Sequence, residues 1–299
     1  MQVRVFEYTE LTSMDFERIN SMSIHLSIYE QLWYVAPLAD FKLTIYVFGD
    51  FETIFFVPYR SKLMVKYVYM PNFIQKLSFI GKVDGVDQII NLLTNRIKFG
   101  EISIINHENR FDSNKERTNI LLDLENSYVE LKKNFSDNHK RNISKVKHIE
   151  IRQSENIDDL ISIFKAEKVD SFRLIELNKI ENDLNRILTY NKLKDRIFII
   201  NAYEYNHIIA SALFIHFNNV LHYIIGSSLK SNPKFSSKGL FRIFDFVINR
   251  FSGTNTKLDF EGSDIPGIAR FFKGFGSQEE TYYFVNWNRL PFPLNKLKK

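Results

Sequence analysis

The chain has 299 residues, 44% of them hydrophobic, with 28 Phe and a formal net charge of +5. That much apolar material excludes intrinsic disorder, and the small positive excess permits anionic partners without requiring nucleic acid. With no cysteine present, disulfides, thiolate metal sites and cysteine nucleophiles are excluded. The N-terminus carries Glu7 and Glu10 and lacks the apolar segment of a signal peptide. No apolar run approaches the roughly 20 residues needed to span a bilayer. The expectation is a soluble, cytoplasmic protein.

The first half opens with a strand at Val3–Phe6 and a mixed, helical stretch over Met14–Tyr34. Strands are expected at Lys42–Val47, Thr53–Tyr59 and Met64–Tyr69, with Gly49-Asp50 as the hairpin turn between the first two. Pro71-Asn72 breaks the pattern. Ile89, Ile90, Leu93 and Ile97 predict a helix around Val86–Lys98, ended by Gly100, and Ile102–Ile105 reads as a strand. In the second half, helices are expected at Ile157–Lys168 and Lys179–Leu188, and strands at Arg196–Ala202, Ile208–Phe217 and Val220–Ile225. Leu240–Phe251 places Phe241, Phe244, Val247, Ile248 and Phe251 on one side of a helix. A short strand, Leu258–Phe260, then breaks at Glu261-Gly262-Ser263-Asp264. Pro266 starts a helix, Ile268, Phe271, Phe272 and Phe275 recur at helical spacing, and Gly274 and Gly276 end it.

The order strand, hairpin, strand, strand, helix, strand therefore occurs twice, at a near-constant offset of about 157 residues. A constant offset across several elements points to an internal duplication. The expected domains are 1–125, a basic helical connector at 126–150, and 151–299. The connector carries Lys132, Lys133, His139, Lys140, Arg141, Lys145, Lys147 and His148, with an apolar seam of Leu131, Phe135, Ile143 and Val146. It reads as two short helices joined near Phe135-Ser136, with Ser136 as an N-cap.

This order of a mixed sheet followed by helix, strand and helix resembles the GNAT acyltransferase fold. Two such units joined near a basic helical segment resemble its Fem-type branch, whose members transfer aminoacyl or acyl groups to amines. The motif that carries the resemblance is Phe272-Lys273-Gly274-Phe275-Gly276, following Asp259-Phe260-Glu261-Gly262-Ser263. A second passage, from Gly49-Asp50-Phe51-Glu52 to Tyr69-Met70-Pro71-Asn72-Phe73-Ile74-Gln75, is similar to the N-terminal halves of related bacterial proteins. The resemblance implies an α/β (α+β) fold of two tandem GNAT-like mixed-sheet units packed into one protein. GNAT enzymes hold coenzyme A pyrophosphate on a glycine-rich loop at a helix N-terminus. Here that stretch is Ser236, Ser237, Lys238 and Gly239, of which only Gly239 matches, and Phe241 stands where a small residue is expected. Coenzyme A is accordingly expected to bind weakly there.

Acyl transfer needs a neutral amine, a polarised carbonyl and a stabilised oxyanion. The resemblance implies the last role for Lys273, which otherwise reads as a helix-end charge. Asp259, Glu261 and Asp264 cluster at the strand end, where one could accept a proton or hold the acceptor amine; Asp264 reads equally as a helix cap. His222 and Tyr223 lie on the strand expected to face the cleft. Tyr69, Asn72 and Gln75 surround the Pro71 break and offer an acceptor site, or simply end a strand. The connector reads as a solvated face or as a surface for a phosphate-bearing partner. The spacings predict no metal site.

The sequence reading is thus an N-acyltransferase moving an acyl or aminoacyl group from an activated donor to a small-molecule or nucleotide-linked amine. No tightly bound cofactor is expected. The donor is left open among acyl-CoA, a carrier-protein thioester and an aminoacyl-tRNA, with a carrier protein or tRNA meeting residues 132–148. The rival readings are a non-catalytic ligand- or partner-binding module on a degenerate GNAT fold, and a general nucleic-acid binder.

Overall fold

The computed structural model describes residues 2–62, 64–82, 86–105, 114–168, 172–190, 193, 195–230 and 238–296. In chain order its elements are β1 (Val3–Glu7), α1 (Ser13–Ser23), α2 (Leu32–Leu38), β2 (Leu43–Phe48), β3 (Thr53–Lys62), β4 (Val65–Val68), β5 (Phe79–Gly81), α3 (Val86–Arg96), β6 (Phe99–Ile104) and β7 (Asn114–Asp123). There follow α4 (Tyr128–Lys133), α5 (Asp137–Lys145), β8 (Glu150–Ser154), α6 (Asp158–Lys168), α7 (Leu174–Leu188), β9 (Ile197–Glu204), β10 (His207–Phe217), β11 (Val220–Ser228), α8 (Gly239–Phe251), β12 (Lys257–Asp259), α9 (Pro266–Lys273) and β13 (Gln278–Asn288). They form two compact units, Met1–Arg117 with Thr281–Lys299, and Thr118–Glu280.

The two units share one topology. In the first, β1, β2, β3 and β4 pair antiparallel in turn, α3 crosses over, and β4 pairs parallel with β6 at Val68↔Gly100. In the second, β8, β9, β10 and β11 pair antiparallel in turn, α8 crosses over, and β11 pairs parallel with β12 from Val220↔Lys257 to His222↔Asp259. Each unit then gains an antiparallel strand that does not follow it in sequence. β13 lies on β6, from Tyr283↔Ile104 to Asn288↔Phe99. β7, which follows β6 in the chain, lies instead on β12 from Asp259↔Leu121 to Lys257↔Asp123. That exchange is why the unit boundaries fall at 117/118 and 280/281 and not at the ends of a connector. Residues 126–150 are part of the second unit.

Local chemistry explains most element ends. Thr12 and Asp15 form a reciprocal capping box at the start of α1. The mixed, helical stretch over Met14–Tyr34 is helical in pieces: Ser27 accepts the Tyr29 N–H at 3.2 Å and starts a separate 3₁₀ turn at Ile28–Glu30. The core of the second unit is aromatic. Phe214, Phe244, Phe260 and Phe275 are fully buried, and Phe244 meets Phe214 edge-on at 5.9 Å and Phe275 at 5.5 Å. Among the described residues no helix is long and apolar enough to cross a membrane.

Gly100 marks where the first unit is tightest. A Cβ there would lie 2.7 Å from the Val68 Cβ and 2.9 Å from Trp287 Cζ2. Trp287 is held by donating its Nε1–H to the Ile97 carbonyl at 2.6 Å. Gly100→Ala is expected to destabilise the protein by about 1–3 kcal/mol, the usual range for overpacking. Gly267→Ala, where nothing lies within 4 Å, is the matched control and is expected to be neutral or slightly stabilising. Urea midpoints of the two variants test the pair.

Candidate functional site

The second unit opens where its parallel pair ends. β11 continues to Ser228 along β10, but its pairing with β12 stops at His222↔Asp259. Beyond that point the chain leaves β11 and stays with β7, since the Phe260 N–H donates to the Ile120 carbonyl at 2.9 Å. A bulge turns β11 at the same level: Leu213 faces Ile225 and Phe214 faces Tyr223, so Ile224 is the extra residue. The result is a notch at a strand's carboxyl end, the place where α/β sheets commonly present a site.

Three titratable side chains meet at its apex. His222 is 2% exposed and Asp259 4%. Glu261 turns back toward them from a left-handed backbone conformation, φ 60°, which a glutamate adopts at some cost. Its N–H donates to Asp259 Oδ1 at 2.8 Å, and its Oε1 lies 2.8 Å from His222 Nδ1. Asn119 Nδ2, itself buried, donates to Asp259 Oδ2 at 3.2 Å. One ligand atom from each of His222, Asp259 and Glu261 lies within 4.8 Å of the others. Gly262 continues the left-handed turn at φ 59°, and a Cβ there would come within 2.1 Å of the Thr118 carbonyl oxygen. Only glycine fits. The turn that aims Glu261 is therefore fixed by the backbone of β7.

Tyr223, the next residue on β11, is wedged among Phe214 at 5.5 Å, Phe244 at 5.0 Å and Phe272 at 5.8 Å. Burial pushes its phenol pKa well up, so it stays protonated. Its hydroxyl lies over Gly226, where a Cβ would stand 2.6 Å from it.

Lys273 stands elsewhere on the rim. It is 45% exposed and pairs with Glu279 at 2.5 Å; Asp259 and Glu261 are engaged with one another and with His222 and Asn119. What the Phe272–Gly276 motif does hold is His139, which in sequence reads only as one basic residue of the connector among others. A Cβ on Gly274 would fall 1.9 Å from the His139 ring. His139 Nε2–H donates to the Phe271 carbonyl at 2.8 Å, Nδ1 accepts from the Ser136 hydroxyl at 2.9 Å, and the Ser136 N–H donates to the Gly274 carbonyl at 2.8 Å. Rings of Phe241, Phe271 and Phe275 enclose the imidazole at 4.9, 5.5 and 4.5 Å. Ser136 is the N-cap of α5, as its position suggests. At the start of α9, Ser263 and not Asp264 accepts the Ile265 N–H.

Of the residues expected to cradle a cofactor, Ser236 and Ser237 lie outside the described residues. Lys238 precedes α8 without a side-chain cap. Gly239 packs on β10, where a Cβ would meet the Ala210 Cβ at 2.5 Å, so its smallness serves helix–sheet contact. Phe241 closes on Phe271 at 4.8 Å. In the first unit, Tyr69 is buried beneath the Arg60 guanidinium at 4.1 Å. It lines a surface cleft with Tyr67, Phe99, Glu101 and Asn286, which Asn72 and Gln75 do not line.

No family model matches the chain, and no curated protein matches it in sequence. Solved structures match its fold. FemX superposes over 100% of both chains with a TM-score of 0.64 at 11% identity. L-PGS from Bacillus licheniformis covers 96% of this chain and 95% of its own, with a TM-score of 0.53 at 9% identity. A tandem GNAT protein from the clavulanic acid biosynthesis pathway covers 95% and 98%, with a TM-score of 0.51 at 5% identity. At these identities the likeness is one of fold. The chain carries a mixed α/β, tandem GNAT-like fold, the fold shared with FemX and the tandem GNAT protein.

Burial holds the His139 pKa below its ordinary value, against the opposing effect of the Phe271 carbonyl. An imidazole whose folded pKa is depressed stabilises the fold fully above its unfolded pKa, about 6.5, and loses that contribution as pH falls below it. Urea midpoints measured from pH 7.5 to 5.5 should therefore fall in the wild type. One proton contributes at most about 1.4 kcal/mol per pH unit, and His139→Gln should flatten the slope by up to that amount. An unchanged slope in the variant would show that His139 titrates freely.

Proposed function

We propose that this chain is an N-acyltransferase that moves an acyl or aminoacyl group from an activated donor to an amine at the strand-end notch of the second unit. The observation that carries the reading is the notch itself: on a Fem-type fold, β11 parts from β12 at the level where His222, Asp259 and Glu261 converge. Carboxylates there attract an incoming ammonium and take its proton, which frees the nucleophilic lone pair. The Lys273 ammonium exchanges its exposed partner Glu279 for the developing oxyanion.

Two features bear on the donor. Gly239 is taken up by packing and Phe241 by Phe271, which disfavours coenzyme A held in the usual way. Lys133, Arg141, Lys145 and Lys147 are exposed on and beside α4 and α5, a surface suited to the phosphates of an aminoacyl-tRNA or to an acidic carrier protein. The Phe241–Phe271 contact also favours a second reading, a binding module that kept the fold and lost the chemistry. That module would gain thermal stability from a ligand without turning it over.

A panel of acyl-CoA, carrier-protein and aminoacyl-tRNA donors with amine acceptors, followed by mass spectrometry, separates the two. With a turned-over pair in hand, Lys273→Met should lower the rate by about 10²–10³. Its stability should change by no more than about 0.5 kcal/mol, as at most exposed sites. Near-normal turnover in Lys273→Met, with loss in Glu261→Gln, assigns the chemistry to the carboxylates alone. In calorimetry, coenzyme A itself should bind weakly or not at all.

A further inference from the structure

We infer that His222, Asp259 and Glu261 form a binding site for one divalent transition-metal ion of the zinc class. Among the described residues this is the one group of three such side chains whose ligand atoms converge, all within 4.8 Å. The donors come from three backbone positions that the fold fixes separately. The β11–β12 register sets His222 beside Asp259, and the left-handed turn at Glu261 and Gly262 folds the third donor back onto the pair.

The distances suit an ion. Zinc binds imidazole nitrogen and carboxylate oxygen at about 2.0–2.2 Å. In tetrahedral geometry two ligands of one zinc ion are therefore about 3.4 Å apart. The His222 Nδ1 to Glu261 Oε1 separation is 2.8 Å and all three ligand atoms lie within 4.8 Å of one another, so the ion takes the place of the shared proton with side-chain shifts of about an ångström. The donor set is also selective. One imidazole with two carboxylates favours Zn²⁺, Mn²⁺ or Fe²⁺ over Ca²⁺ or Mg²⁺, which take oxygen ligands, and over Cu⁺, which prefers sulfur.

Two further observations support occupancy. Glu261 Oε2 is buried and has no hydrogen-bond partner among the described residues, which leaves a lone pair that a cation would satisfy. The Asp259 carboxylate is held from behind by buried Asn119 and by the Glu261 N–H, the outer support that orients metal-binding carboxylates. A 2+ ion also matches the charge of two carboxylates with a neutral imidazole, in a place where His222 and Asp259 are almost wholly removed from water. With three protein ligands the ion keeps an open position, the arrangement of sites that act on a substrate and not of closed structural ones.

Metal binding is measured without turnover, so it is tested separately from acyl transfer, in which the two carboxylates act as base only when free of the ion. The untagged full-length protein, stripped with a chelator, is titrated with Zn²⁺ and Mn²⁺ by calorimetry, and its metal content is counted after dialysis. The expected result is one ion per chain, a melting temperature that rises with metal concentration, and at least tenfold weaker binding by His222→Ala and Glu261→Gln. Asn119→Ala should weaken binding by about 10–100-fold, the usual effect of removing an outer-shell partner. Because His222 is buried, its variant is compared by circular dichroism first; if it does not fold, Glu261→Gln, at a side chain 15% exposed, decides. No binding by the wild type, or equal binding by folded Glu261→Gln, overturns the proposal.

Discussion

The parallel pairing of β11 with β12 stops at His222↔Asp259, and the candidate site depends on that stop. Had the two strands stayed paired, the sheet would be closed and His222 and Asp259 would be ordinary buried polar residues needing internal partners. They part because the chain after Asp259 keeps its bonds to β7 while β11 keeps its bonds to β10. Each strand follows its other neighbour. The Glu261–Gly262 turn is the consequence: the chain must reverse within two residues beside the Thr118 carbonyl, and the reversal delivers Glu261 to His222.

Behind the notch, α9 is held in place by a contact that tolerates no change. His139 fills the space that a Gly274 side chain would occupy, and both its nitrogens are used. A neutral imidazole can donate at one nitrogen and accept at the other, which the Phe271 carbonyl and Ser136 hydroxyl require. Because Ser136 also caps α5 and donates its N–H to Gly274, the start of α5 and the end of α9 are locked by one residue pair. Phe272 carries that constraint inward to Tyr223 and Phe260. Gly274 is thus explained by His139 of α5 and Gly276 by its left-handed backbone and the close approach of Asn134, while Lys273 just before them points outward to Glu279.

This division shows what the sequence made legible. Strands and helices with clean periodicity, such as Thr53–Tyr59, Ile208–Phe217 and Leu240–Phe251, lie in the elements found, and the doubled order of elements is present in both units. β7 and β13 were not legible. Their pairing is non-local, and their alternation gives no hint that each lies beside a strand distant in sequence. The stretch over Met14–Tyr34 is helical as read, but its division was not legible: Ser27 offers the backbone a local bond that competes with a continuous helix. In the site, Asp259 and Glu261 were legible as a strand-end cluster. The His222–Glu261 contact was not, since only the β11–β12 register brings the two together. His139 carried no signal at all, because a buried histidine and a surface one look alike in a basic stretch.

The two units share a topology and differ in what they place at the parting of the parallel strands. In the first, β4 and β6 pair at Val68↔Gly100. The contact is apolar, and the space beside it is taken by the Trp287 ring against Gly100. In the second, the last pair is His222↔Asp259, polar and backed by Asn119. Burying an imidazole and a carboxylate there costs stability unless both are bonded, and an apolar filling like that of the first unit would be the more stable solution. The repeated topology thus keeps an apolar, braced filling at this point in one unit and a polar one in the other. Under the proposed function, that polar filling is what the second unit offers a ligand.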